Sequence, residues 1–158
     1  MPGSTPTYNS SIPNITLTIM LQRDYIMRLI REFMAALQRL LEKNEITTRR
    51  EEIKQLYEKY VGPYALYHNA TTEEVMQALA GEDEEHRLYK LEILAELFHA
   101  EADMESEPFA SFLLNKSLVL FEHLDRTSKV YSIDRKNKIA LIKRKTTGSP
   151  TSSEQPCP

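Results

Sequence analysis

The chain has 158 residues, 41% of them hydrophobic, and carries 20 Lys and Arg against 23 Asp and Glu for a net charge of −3. That is enough for one domain whose core buries roughly 70% of the unfolded surface. The single cysteine, Cys157, excludes an intramolecular disulfide and any multi-cysteine metal site, and no stretch reaches the roughly 18 apolar residues of a membrane span. With no secretory leader pattern at the start, a cytoplasmic protein outside the membrane is expected.

Charge is unevenly spread. Residues 21–61 hold nine Lys/Arg against seven Asp/Glu, residues 71–107 hold two against twelve, and residues 108–145 hold nine against three. The plainest consequence is an acidic central helix packed beside a basic one within the molecule.

Residues 1–19 and 146–158 are rich in Ser, Thr and Pro. Such composition cannot bury enough apolar surface to offset ordering entropy, so both are expected as disordered tails flanking one helical domain at 20–145. The first helix follows at "RDYIMRLIREFMAALQRLLEKNE", Arg23 to Glu45. Ile26, Ile30, Phe33, Leu37 and Leu40 recur at helical spacing, with Met27, Met34 and Leu41 as a second row beside them. Two rows make an apolar face wider than one neighbour covers.

Thr48-Arg-Arg-Glu51 has the form of a capping box and places a second helix start there, with Ile53, Leu56, Tyr57 and Tyr60 on its inner face and Gly62-Pro63 as its stop. Tyr57, Tyr60, Tyr64 and Tyr67 cluster around that stop, and amphipathic tyrosines are common both in cores and at protein interfaces. Thr71-Thr-Glu-Glu74 is a second capping box, opening a brief helix that ends at Gly81. A longer helix runs from about Asp83 to Met104, with acids in its first turn. Pro108 then opens another helix, which the short connection folds back as an antiparallel hairpin. A last helix near Ser132 to Lys145 is basic, and no β-type alternation of useful length occurs. The expected fold is all-α, an antiparallel helical bundle.

Two segments, "DYIMRLIREFMAALQRLL" and "HLDRTSKVYSIDRKNKIALIK", resemble an uncharacterised bacterial helical family, a domain of unknown function, over about residues 20–145. Its members join an N-terminal Asp-Tyr-x-x-Arg-x-Ile helix to a C-terminal tetratricopeptide-like helix pair. The resemblance implies a scaffold fold and no activity. No 34-residue self-similarity supports a true repeat array.

The candidates for chemistry are thin. Glu96-Leu-Phe-His99 has the E-x-x-H spacing of di-iron bundles, but a second copy is missing. The acidic run at residues 82–85 lacks a calcium-loop pattern and suits a helix start. Four scattered histidines and four glycines offer neither a nucleophile triad nor a phosphate loop. No catalytic residue, cofactor or metal site is therefore expected. Two readings of function remain. The first is a non-catalytic scaffold or adaptor that binds protein or self-associates through Met27, Met34, Leu41 and the four tyrosines. The alternative is nucleic-acid binding through the basic helix 134–145, Lys143, Arg144 and Lys145 above all.

Overall fold

The computed structural model describes residues 11–148, with side chains from Ile15 onward. Among these residues are seven α-helices and no strand: α1 Ser11–Leu41, α2 Ile46–Tyr60, α3 Tyr64–Asn69, α4 Thr72–Ala78, α5 Glu84–Ala102, α6 Phe109–Thr127 and α7 Ile133–Thr147. The fold is all-α, as the helical periodicities require.

α1 differs most from expectation. It starts at Ser11, inside the segment expected as a disordered tail, and its 31 residues give a rod about 46 Å long. Pro13 falls in the first turn, where a missing N–H costs no hydrogen bond, and Ile15, Leu17 and Ile19 carry the apolar helix backward from Met20. The rest of the expected tails, residues 1–10 and 149–158 with Cys157, lies outside the described residues. From Ile26 onward α1 packs on α2 and α5, burying Ile26, Phe33, Leu37 and Leu40. Burying an aliphatic side chain of this size contributes about 1.5–3 kcal/mol.

α2 begins at Ile46 with Glu45 as its N-cap, not at Thr48; the Thr48 hydroxyl donates to the Glu45 carboxylate at 3.1 Å instead of capping. It ends at Tyr60 with Val61 as its C-cap, followed by Gly62, whose φ of +145° is open to glycine and strained for other residues. The Gly62 N–H donates to the Tyr57 carbonyl at 2.8 Å, closing the helix end. α3 then forms where a plain turn was expected. α4 has its capping box, with Thr71 Oγ1 accepting from the Glu74 N–H at 3.2 Å and Glu74 accepting from the Thr71 N–H at 2.8 Å. It stops at Ala78, before Gly81.

α5 is the centre of the molecule. Leu91, Ile93, Leu94, Ala95, Leu97 and Phe98 are all fully buried, so apolar contacts surround it on every side. α1 and α2 lie against it, and α6 folds back along it as the expected hairpin, with the Ser117 hydroxyl donating to the Ala95 carbonyl at 2.7 Å. α7, capped by Ser132, folds onto α6 and contributes Ile142 to the core.

Candidate functional site

The expected neutralisation of acid by base takes place between α5, α6 and α7. Lys138 of α7 pairs with Glu96 and lies 3.1 Å from Asp134, Lys145 lies 3.5 Å from Asp103, Lys143 is 2.9 Å from Glu122, and Arg135 and Lys136 both meet Asp125. Of the three residues expected to carry nucleic-acid binding, Lys143 and Lys145 are thus engaged internally, and among the described residues only Arg144 of the three has no ion pair. Glu96, one half of the E-x-x-H pattern, has Lys138 as its partner. Its neighbour His99 is half-buried with an enclosed, unbonded Nε2, and desolvation together with Lys145 holds its pKa below the usual imidazole value.

The four tyrosines lie largely inside the fold. Tyr57, Tyr60 and Tyr67 are buried and Tyr64 is half-buried, and the hydroxyls of Tyr57, Tyr60 and Tyr64 each find a carboxylate acceptor. Tyr57 and Tyr64 stack edge to face at 5.0 Å and both donate to the Glu101 carboxylate, at 2.8 and 2.6 Å; His68 Nδ1 approaches the same carboxylate to 2.7 Å. Tyr60 donates to Glu32 at 2.9 Å, and Tyr89 donates to the Tyr60 carbonyl at 3.3 Å. Burial alone would raise the Glu101 pKa, but the donors His68, Tyr64 and Tyr57 outweigh it and hold the carboxyl below its ordinary value. Next to this cluster the Lys116 ammonium is buried, donating to the carbonyls of Tyr67, His68 and Ala70 at 2.9–3.0 Å and lying 4.0 Å from the Phe98 ring centroid. Burial pulls its pKa down to about 8, against the opposing pull of Glu101 and Glu74. These residues escaped the sequence reading because isolated charges on apolar helices look like surface positions. The Tyr57 and Tyr64 hydroxyls and the Lys116 ammonium all have partners within the cluster, which is the pattern of a structural network.

The outer face of α1 is different. Met27 is 43% exposed and Leu41 40%, while Met34 is half-buried against the core. Toward the helix start the exposure grows: Ile15, Leu17, Ile19, Met20, Leu21 and Tyr25 are each more than half exposed. The last buried core residue toward this end is Ile26, and just before it Gln22 bonds Asp83 and contacts His86 and Arg23 lies 3.9 Å from Glu85. Above them α1 projects past α5. Residues 11–22 contain no charge, and Ile15, Leu17, Ile19, Met20 and Leu21 among them are exposed.

The chain matches no known protein family, no curated protein and no solved structure. The site must be read from its own geometry. A shallow groove between α1 and α2, with Ala36, Leu40 and Leu56 at its base and Arg39, Lys43 and Lys59 at its rim, is the other feature of the α1 surface; its lysines are already paired, Lys43 with Glu52 and Lys59 with Glu32. No helix among the described residues is long and apolar enough to cross a membrane. What α1 offers is a long ridge of flexible, polarisable side chains suited to a second protein surface.

Proposed function

We propose that this protein is a non-catalytic helical scaffold or adaptor that binds protein through the outer face of α1. The observation that carries this reading is the exposure of Leu17, Met20, Met27 and Leu41 along a helix that also buries Ile26, Phe33, Leu37 and Leu40 in the core. Contiguous apolar surface of this kind on a soluble fold marks an interaction site, and an apolar helix ridge is the form used in helix-in-groove recognition. Tyr57, Tyr60 and Tyr67 are enclosed by the bundle and contribute rigidity to this face, not contact area. The bundle supplies rigidity: the α5–α6 hairpin serves as the tetratricopeptide-like element, and the chain works in the bacterial cytoplasm without cofactor or metal. The basic α7 acts as an internal counter-charge to α5, which supports the scaffold over nucleic-acid binding.

A photo-crosslinking residue placed at Met20 or Leu41, with Glu58 as an exposed control position on α2, tests the reading in cells that make the protein. A discrete adduct from the α1 sites and none from Glu58 is expected. Equal labelling at all three, or none, would overturn it.

A further inference from the structure

The ridge on α1 has an internal symmetry. Met20, Met27, Met34 and Leu41 are spaced seven residues apart, so they follow one line along the helix, the seam spacing of paired helices. Asp24 and Arg31 also lie seven apart, placed about Met27 by three residues on one side and four on the other. Both are exposed, and both fall on the same flank of the methionine line at about 100° per residue. Among the described residues neither meets an opposite charge on this chain; Arg31 reaches only its own helix, Nε donating to the Met27 carbonyl at 3.4 Å.

We propose that the outer ridge of α1 binds a second copy of this chain, antiparallel, about a two-fold axis at Met27. The inference rests on the reading of α1 as the binding face and names its occupant. In that arrangement Met27 meets Met27 of the second copy, Met20 meets Met34, and Asp24 comes within one residue rise, about 1.5 Å, of register with Arg31. A two-fold contact makes every pairing occur twice, so one acid and one base that are idle in the monomer become two reciprocal ion pairs. Same-flank residues stay on the same flank under this axis, which is what brings Asp24 to Arg31 and not to a second Asp24. A parallel pairing, with its two-fold along the helices, would carry each residue to the opposite flank and bring Asp24 to no Arg31. An unrelated partner would have no reason to require this balance. The ridge from Leu17 to Leu41 is about 36 Å long, and one helix pair of that length buries an area at the lower end of specific interfaces, so the dimer is expected to dissociate in the micromolar range.

Sedimentation of the purified full chain gives the test. The native protein should show a concentration-dependent monomer–dimer equilibrium. Asp24→Arg and Arg31→Asp should each weaken it at least about 10-fold, because each sets like charges together, and the double variant D24R/R31D should recover the native constant within about 3-fold. Both positions are exposed, and unchanged melting of each variant shows that the fold is kept. Met27→Cys in a Cys157→Ser background should form a disulfide-linked dimer under mild oxidation. A strict monomer at about 100 µM, a dimer indifferent to the single reversals, or failure of the double variant to recover overturns the proposal. A monomer that still yields a crosslink to another protein from Met20 in cells rejects the second copy and leaves the scaffold reading standing; absence of both removes the two together.

Discussion

Lys116 sits at an a-like position of α6 among Leu113, Ser117 and Leu120, all buried. Its ammonium serves as an external cap for α3, whose last carbonyls have no partner within so short a helix. Replacing it with methionine keeps the volume and leaves three buried acceptors without a donor, so Lys116→Met should destabilise the fold by about 2–4 kcal/mol in urea unfolding. Glu101 provides the pH signature. Its folded pKa lies below the ordinary 4.5, so between those values the unfolded chain binds more protons than the folded one. The stability it contributes is therefore complete above about pH 4.5 and disappears as pH falls through the lower folded value. Against the Glu101→Gln variant, the native chain should be more stable by about 1–3 kcal/mol at neutral pH, and the gap should close on acidification below about pH 4.5. A gap independent of pH would mean that the carboxylate charge does not organise Tyr57, Tyr64 and His68.

Between elements, the strength of an ion pair depends on how far the partners have left water. Lys138 and Glu96 are mostly enclosed at the α5–α7 contact, with 18% and 8% of their side chains exposed, whereas Lys143 opposite Glu122 is 56% exposed. Burial pushes the Glu96 pKa up and Lys138 pulls it back, so Lys138→Ala should leave a buried carboxylate without its counter-charge, raise its pKa further and cost about 3 kcal/mol. Lys143→Ala should change thermal stability by less than about 0.5 kcal/mol. Equal effects would show that α7 is held by its apolar contact at Ile142 and not by charge. This contact was half legible in the sequence: the charge blocks foretold an acidic helix beside a basic one, because opposite blocks in one chain attract over any fold. Which lysine meets which acid was not, since it depends on the crossing of α7 over the hairpin. The 3.6-residue periodicity made α1, α2, α5 and α6 readable, and the reciprocal bonding of Thr71 and Glu74 made α4 readable. Thr48 and Glu51 match the same pattern without capping, because Glu45 lies nearer the helix start. The tyrosines of α2 and α3 were ambiguous for a physical reason: a ring with a hydroxyl suits a wet interface or a core with an acceptor, and only the position of Glu101 decides.

At the level of the molecule, α1 has two halves with different duties. Its second half is core, and Phe33→Ala there should cost about 3–5 kcal/mol, as loss of a fully buried aromatic does. Its first half projects past α5, and the composition of residues 11–19 concealed that, since Ser, Thr, Asn and Pro lower helix propensity and the spacing of Ile15, Leu17 and Ile19, every second residue, does not mark a helical face. If the projecting turns stabilise nothing within one chain, a protein shortened to begin at Met20 should melt within about 2 °C of the full chain, measured at a concentration low enough to keep it monomeric, where a 1 kcal/mol loss would already shift a domain of this size by about 2–4 °C or more. Circular dichroism should register the missing helical residues as a smaller amplitude with an unchanged midpoint. A midpoint lowered by about 10 °C would mean that these turns pack onto their own bundle, and the exposed apolar rod on which the binding face depends would not exist in solution.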